Sequence, residues 1–166
     1  MNVLIVGGGG REHAIAWALS KSKKVDHLYC APGNGGIAAL AQCVPIAATD
    51  VKAMVDWAVA NHMDFVVVAP DDPLALGMVD ELDRAGIPAF GPNAAAAIIE
   101  ASKSFSKTLM EKYHIPTAKH KTFTDMSAAL AYVEEQGAPI VVKADGLALG
   151  KGVVVAQTVE EALDAV

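Results

Sequence analysis

Four glycines and an arginine, residues 7–11, directly follow the apolar run at residues 3–6. A buried strand that turns through glycines into a helix lets backbone N–H groups approach an anion, and the helix N-terminus adds partial positive charge. Arg11 contributes a forked donor suited to bidentate contact with phosphate or carboxylate. The stretch therefore predicts a phosphate site. The alternative is a tight turn whose glycines only permit close helix packing and whose arginine is solvated.

The spacing of these glycines does not match a dinucleotide-binding turn. That fingerprint requires glycine at the first, third and sixth positions, and the sixth residue is Glu12 counted from Gly7 or His13 counted from Gly8. The acidic residue that would hold a ribose at the end of the second strand is also absent, because Cys30 runs into an Ala-Pro-Gly-Asn loop. A dinucleotide oxidoreductase is therefore disfavoured.

A second glycine-rich loop, residues 145–152, lies between two apolar runs at residues 139–143 and 153–156. A P-loop needs four residues between its glycines and a hydroxyl residue after the lysine, whereas here three residues separate Gly146 from Gly150 and Gly152 follows Lys151. Strand, loop and strand predict a hairpin flap, in which Lys143 and Lys151 supply two cations for a polyphosphate. The alternative is a surface hairpin with ordinary exposed lysines.

The elements that must position the first loop alternate between strand and helix. Strands are predicted at residues 3–6, 25–30, 65–68 and 87–90, with helices at 11–20, from the Asp50 cap to Asn61, and at 73–84. This order predicts an α/β fold with a doubly wound parallel sheet over residues 1–92. Ligands bind beyond the carboxyl ends of such strands, so the loops at residues 7–12, 33–36 and 70–74 are expected to meet in one crevice.

The pattern changes after Pro92. Helices are predicted at residues 94–100 and 102–114, a strand at 119–123, a helix at 125–136, and a helix that begins at Thr158 and reaches Val166 without a C-cap. We therefore expect three parts: an N-terminal α/β domain at 1–92, a helical link at 93–116 and a partial lid at 117–166. The uncapped last helix suggests that the sequence is a piece of a longer protein.

Composition narrows the class of protein. The 166 residues are 53% hydrophobic, 19% are charged and the net charge is −6, which favours a folded chain and argues against a nucleic-acid partner. Cys30 and Cys43 form no metal-binding spacing and are expected to be reduced thiols. Neither a signal peptide nor a membrane span is apparent, so we expect a cytoplasmic protein without a membrane partner.

Seven segments together resemble the glycinamide ribonucleotide synthetase (phosphoribosylamine–glycine ligase) family of the ATP-grasp superfamily. They occur in the family's order at residues 3–14, 31–36, 70–74, 90–92, 102–107, 115–118 and 142–153. The resemblance covers the whole chain. It implies a Rossmann-like pre-ATP-grasp domain, a helical link and an incomplete ATP-grasp lid.

The resemblance also implies an activity and its site residues. The family joins glycine to 5-phosphoribosylamine in de novo purine synthesis, cleaving ATP to ADP and phosphate through a glycyl phosphate. The positions expected to bind phosphoribosylamine are Gly8, Gly9, Gly10, Arg11, Glu12, Asn34, Gly35, Pro70, Asp71 and Pro73. Those expected to bind ATP are Lys103, Lys143, Gly146, Gly150, Lys151 and Gly152. No catalytic base is identified.

Two departures from the family bear on activity. The family commonly has Glu where this chain has Asp71, which keeps the carboxylate on a shorter stem. Family members are also much longer, and the ligands for Mg²⁺ or Mn²⁺ are expected outside these residues. We therefore expect the N-terminal part of the ligase, inactive by itself. A different hypothesis is a module that senses a nucleotide or sugar phosphate without catalysis.

Overall fold

The computed structural model describes residues 1–147 and 152–166 and divides into two compact units, Met1–Ala101 and Ser102–Val166. Unit 1 contains a parallel sheet and its covering helices, while unit 2 contains a two-stranded hairpin with three helices among its described residues. The boundary places helix 94–101 in unit 1, whereas the sequence assigned that segment to a link at 93–116. The three-part division stays a prediction.

The elements of unit 1 alternate as the sequence predicted. They are β1 Asn2–Gly7, α1 Gly10–Leu19, β2 His27–Pro32, a 3₁₀ turn at Ile37–Ala39, β3 Gln42–Cys43, α2 Val51–Ala60, β4 Phe65–Val68, α3 Asp71–Ala75, α4 Met78–Arg84, β5 Ala89–Phe90 and α5 Ala94–Ala101. The strands form one parallel sheet in the order β3-β2-β1-β4-β5. The direction of winding reverses at β1, which confirms the doubly wound α/β fold.

The central position of β1 in the sheet explains why residues 3–6 are all apolar. Leu4 and Val6 pack into a core with Met54 of α2 and Leu82 of α4. Successive strand residues point to opposite faces, so the alternate residues of β1 pack into a second core that contains Ala16 of α1. Because helices cover both faces of the sheet, every side chain from residue 3 to residue 6 is buried.

Three details of unit 1 differ from the sequence prediction. The helix predicted at residues 73–84 is two helices, because Gly77 has φ +81° and interrupts the helical path between α3 and α4. The helical spacing of Ala14, Ile15, Ala18 and Leu19 predicts one apolar side for α1. In the structure Ala14 and Ala18 are exposed, while Glu12 and Ala16 are the buried residues. Strand β3 was not predicted, since two residues carry no detectable period.

Unit 2 contains α6 Lys103–Lys112, α7 Met126–Gln136, β6 Ile140–Lys143, β7 Val153–Ala156 and α8 Val159–Ala165. Strands β6 and β7 pair antiparallel from Ile140 opposite Ala156 to Lys143 opposite Val153, which confirms the predicted hairpin. The small core of the unit includes Val133, Ala156 and Ala162. The predicted helix starts at Asp125 and Thr158 are confirmed, and both side chains cap their helices, with Asp125 accepting from Ala128 N–H and Thr158 from Glu161 N–H.

The predicted strand at residues 119–123 is wrong. The segment pairs with no strand among the described residues, and an extended run without a hydrogen-bonded neighbour does not form a β-strand. Its apolar residue packs locally instead, with the Phe123 and Tyr132 ring centroids 5.2 Å apart. Within residues 1–147 and 152–166, no helix is long and apolar enough to cross a membrane.

Candidate functional site

Three loops meet at the carboxyl ends of the strands of unit 1, as the sequence predicted. The loop after β1 and the loop after β2 are joined by two hydrogen bonds. The Gly33 N–H donates to the Gly7 carbonyl at 3.0 Å, and the Asn34 side-chain amide donates to the Gly8 carbonyl at 2.9 Å. The loop after β4 approaches from the other side, where Asp71 lies 3.7 Å from the Arg11 guanidinium.

Close packing between these loops accounts for two of the glycines. A Cβ atom on Gly8 would lie 2.5 Å from the Gly33 carbonyl oxygen, and one on Gly7 would lie 2.8 Å from the Pro70 side chain. Gly7 also has φ +117°, a conformation that other residues rarely adopt. By contrast, a Cβ on Gly10 would meet nothing within 4 Å. Close packing therefore explains why residues 7 and 8 are glycine, whereas Gly10 leaves space at the start of the helix.

The buried side chain of Glu12 forms a hydrogen bond within the glycine turn. Its side chain is 4% exposed, and its Oε2 accepts the Gly9 N–H at 2.6 Å. This is the reciprocal half of a capping box, in which a side chain in the first helical turn binds the residue before the helix. Glu12 therefore holds the glycine turn in shape. The substrate contact expected of it stays a prediction.

The N-terminus of α1 remains available to an anion. The N–H groups of Gly10 and Arg11 begin the helix and have no partner among the described residues. The Arg11 side chain is 59% exposed, with its Nε 3.3 Å from the Glu12 carboxylate. Since the ion pairs of such an exposed arginine are weak, its guanidinium is able to turn toward a ligand. The site can therefore offer both backbone and side-chain donors to one phosphate.

A cavity of about 630 Å³ lies beside Arg11, between the ends of β4 and β5. Asp71 gives it a carboxylate, and Phe90 lines it with a ring that is 66% exposed. The sequence prediction did not list Phe90 as a site residue. The available signal was its position, because an aromatic residue at the end of a short strand falls on the same sheet edge as the three loops.

The other expected residues of this site lie on the same loops. Gly35 is exposed, and a Cβ on it would meet nothing within 4 Å. Asn34 shapes its loop by accepting the N–H groups of Gly36 and Ile37 at 2.8 and 2.9 Å. Pro70 precedes α3, and Pro73 is buried within it. Their contacts with a ligand stay predictions.

The buried thiol of Cys30 lies beneath the glycine turn. Cys30 of β2 is fully buried, and its Sγ–H donates to the Gly7 carbonyl at 3.2 Å. Burial raises the pKa of Cys30 to about 12, because the thiolate would lose its hydration. Cys30 is therefore a neutral hydrogen-bond donor that supports the turn, and it is not poised as a nucleophile.

The second candidate region lies within unit 2, where the N-terminus of α6 meets the residues that follow β6. The Lys103 ammonium donates to the Gly146 carbonyl at 2.7 Å. Lys143 is exposed at the end of β6, and the Ala144 N–H donates to the Gly152 carbonyl at 2.7 Å. Four of the six residues expected to bind ATP are therefore described: Lys103, Lys143, Gly146 and Gly152. Gly150 and Lys151 lie outside the described residues.

Asp145 connects these two segments through several hydrogen bonds. The hydroxyl and N–H of Ser104, the N–H of Lys103 and the hydroxyl of Ser102 all donate to its carboxylate. These donors, led by the Ser104 hydroxyl, hold the pKa of Asp145 well below its usual range. The carboxylate is therefore ionised at neutral pH, and its acceptor positions are occupied by protein groups.

A metal site is not provided by this part of the chain. Among residues 1–147 and 152–166, no group of three or more His, Cys, Asp or Glu side chains is placed to hold a metal ion. Asp145, the carboxylate nearest the exposed lysines, is engaged as described.

Comparison with known proteins identifies both units. Residues 1–100 match the family model described as phosphoribosylglycinamide synthetase, N domain, and residues 101–166 match the one described as phosphoribosylglycinamide synthetase, ATP-grasp (A) domain. The change between the two matches falls within one residue of the boundary between the two structural units.

Individual relatives agree with these matches. The chain is 53% identical to the phosphoribosylamine–glycine ligase of Brucella melitensis, covering 100% of this chain and 39% of the relative. It is 56% identical to that of Listeria monocytogenes, covering 98% and 39%. The crystal structure of phosphoribosylamine–glycine ligase from Thermotoga maritima has a TM-score of 0.76 at 30% identity, covering 99% of this chain and 38% of that one.

The chain thus spans about two fifths of the length of the curated relatives it matches. Its fold, its two family matches and the order of its motifs agree over the whole sequence. This protein belongs to the phosphoribosylglycinamide synthetase family.

Proposed function

We propose that this chain is the N-terminal part of a ligase that joins glycine to 5-phosphoribosylamine and cleaves ATP to ADP and phosphate. The product would be glycinamide ribonucleotide, an intermediate of de novo purine synthesis. Family membership and relatives named phosphoribosylamine–glycine ligase support this proposal. The observation that supports it most directly is the open N-terminus of α1, where two N–H groups without a partner in the described part of the chain lie beside the exposed Arg11.

Phosphoribosylamine would bind in unit 1 with its phosphate at the start of α1. Gly8, Gly9 and Gly10 would bring backbone N–H groups close to the phosphate, and Arg11 would supply a bidentate contact. Asn34 and Gly35 would border the site, while Glu12 would preserve the turn. Asp71, flanked by Pro70 and Pro73, would accept a hydrogen bond from the amine or from a ribose hydroxyl, because a carboxylate only accepts when ionised.

ATP would bind in unit 2 through the lysines near the hairpin. Lys103 and Lys143 would contact the phosphates, with Gly146, Gly150, Lys151 and Gly152 forming the loop that covers them. Two cations near a triphosphate stabilise the charge that is redistributed during phosphoryl transfer. The ligands for Mg²⁺ or Mn²⁺ would lie outside these 166 residues.

The two substrates react through an activated carboxyl group. A glycine carboxylate oxygen would attack the terminal phosphorus of ATP and release ADP, which gives glycyl phosphate. The amine of phosphoribosylamine would then attack the carbonyl carbon, lose a proton and expel phosphate. This order is chemically required, since a free carboxylate is a poor acyl donor, and the resemblance to the family implies it. We assign no general base.

Charge and composition favour small-molecule partners. A net charge of −6 disfavours electrostatic attraction to nucleic acid or to an anionic membrane surface. We therefore propose glycine, 5-phosphoribosylamine and ATP as its ligands, and the cytoplasm as its location.

The decisive experiment measures ADP release by the full-length protein as a function of each substrate. We expect release to require both glycine and phosphoribosylamine. Arg11→Ala should raise the KM for phosphoribosylamine by about 10- to 100-fold, the equivalent of one lost charged hydrogen bond, and leave the KM for ATP unchanged.

Arg84→Ala is the matched control, because Arg84 is an exposed arginine of unit 1 that pairs with Glu81 on α4. An unchanged KM in Arg11→Ala would refute the phosphate site. A wild-type protein that binds phosphoribosylamine without releasing ADP would instead support a sensing module.

A further inference from the structure

The N-terminus of α6 is capped by a residue that is distant in sequence. The first N–H groups of a helix have no acceptor within it. Ser102 satisfies the N–H of Phe105 at 3.1 Å, as an ordinary N-cap. The two preceding donors, the N–H groups of Lys103 and Ser104, bind Asp145 Oδ1 at 2.6 and 3.2 Å. One carboxylate therefore completes a helix that begins more than 40 residues earlier.

The start of α6 and the segment that follows β6 hold each other in place. Asp145 holds the backbone of Lys103, and the ammonium of Lys103 in turn binds the carbonyl of Gly146 at 2.7 Å. The hydroxyls of Ser102 and Ser104 add two further donors to Asp145 Oδ2 at 3.1 and 2.5 Å. These bonds hold the Lys103 side chain beside the segment that follows Lys143.

The geometry leaves Lys103 able to bind a ligand. An ammonium group has three N–H donors, and the described residues take one of them. A lysine side chain is flexible and loses much rotamer freedom on binding, so fixing its position in advance lowers the cost of binding an anion. The contribution of Lys103 to affinity should then depend on the residue that fixes it.

We propose that Asp145 is a positioning residue for ATP binding, which acts by fixing Lys103 beside the segment that follows β6. The inference rests on the proposed ATP site and extends it to a residue that need not touch the nucleotide. Asp145 is unsuited to a direct role, because its oxygens already accept the donors of Ser102, Lys103 and Ser104. Its lowered pKa also prevents it from serving as a proton donor near neutral pH.

The test is a double-mutant cycle on ATP binding by the full-length protein, measured by calorimetry in the absence of glycine and phosphoribosylamine. Asp145→Asn keeps the shape of the side chain but removes its charge and presents an N–H₂ group to existing donors. We expect ATP to bind about tenfold more weakly to Asp145→Asn and to Lys103→Ala. The double variant should bind no more weakly than Lys103→Ala, because both changes remove the same contribution.

Asp125→Asn is the matched control. Asp125 also caps a helix of unit 2, accepting the Ala128 N–H at 2.8 Å, but it lies outside the set of residues expected to bind ATP. It should lower the thermal stability without changing the Kd for ATP. Ser104→Ala removes a single donor and serves if Asp145→Asn fails to fold. It should weaken ATP binding by a few-fold, and only when Lys103 is present.

Two results would overturn the inference while leaving the ATP site intact. Effects of Asp145→Asn and Lys103→Ala that multiply in the double variant would show independent roles. An Asp125→Asn variant that weakens ATP binding as much as Asp145→Asn would show a general structural effect. A wild-type protein that binds no ATP would refute the proposed function and this inference together, whereas ATP binding without ADP release would refute only the ligase reaction.

Discussion

Unit 1 and unit 2 differ in how completely they bury their strands. In unit 1, five parallel strands lie between two apolar cores, and the side chains of residues 3–6 in β1 and of the last three residues of β4 are buried on both faces. In unit 2, β6 and β7 form a two-stranded hairpin, and Val155 on its uncovered face is 62% exposed. A sheet of two strands is marginal by itself. Unit 1 therefore covers both faces of its central strands, whereas unit 2 leaves part of the apolar surface of its strands exposed.

The largest expected effect concerns activity. We expect the 166-residue chain to show no measurable ligase activity and to bind ATP poorly, although unit 1 folds. The described residues provide no metal site, and metal ions supply the main electrostatic term in phosphoryl transfer. If the partly exposed hairpin has to become ordered when ATP binds, the lost conformational entropy would also weaken ATP binding. The measurement is glycine-dependent ADP release beside the full-length enzyme, and turnover within about tenfold of full length would contradict it.

A valine-to-alanine substitution should destabilise the protein more in the parallel sheet of unit 1 than in the hairpin of unit 2. Val66→Ala removes a fully buried side chain from β4 and should cost about 2 kcal/mol, from lost burial and the resulting cavity. Val155→Ala in β7 should change stability by less than about 0.5 kcal/mol, since most of that side chain is already in water.

Urea unfolding of the 166-residue chain measures both effects. Both tryptophans, Trp17 and Trp57, belong to unit 1, so their fluorescence reports that unit alone, while circular dichroism reports the whole chain. Equal costs for the two valine substitutions would mean that the hairpin is as well packed as the parallel sheet.

The buried thiol of Cys30 should make the stability of unit 1 fall at alkaline pH. An unfolded cysteine titrates near pH 8.5, whereas the folded pKa of Cys30 is raised to about 12. Between these values the unfolded chain releases a proton that the folded chain retains, so stability falls as pH rises. The slope from this thiol is about 1.4 kcal/mol per pH unit, and its stabilising effect is fully present below about pH 8.5.

Cys30→Ala removes the thiol and serves as the comparison. Tryptophan fluorescence during urea unfolding from pH 8 to pH 11 should show a steeper decline in the wild type than in the variant. Since all other ionisable groups are the same in both proteins, only the difference between the two slopes is informative. Parallel declines would mean that the thiol is not protected in the folded state.

Local patterns in the sequence were sufficient for most of the framework. The buried run of β1, the cap at Asp50, the helix starts at Asp125 and Thr158, and the strands on either side of the loop around Gly146 each depend on neighbouring residues. The structure confirms all of them. The α/β class follows from the alternation of such segments, because parallel strands require crossover helices. The meeting of the three loops follows from the same topology.

Contacts between residues distant in sequence were decided by the tertiary structure. A strand is predicted at residues 119–123, but a strand also needs a partner, and the described residues supply none. Gly7 and Gly8 look alike in a run of four glycines, yet in the folded chain Gly7 packs against Pro70 and Gly8 against Gly33, whereas a Cβ on Gly10 would meet nothing within 4 Å. Asp145 looks like an isolated loop carboxylate until folding brings it to the start of α6. Local propensity determines which segments form, whereas the partners of each backbone group and side chain depend on which segments meet in the folded chain.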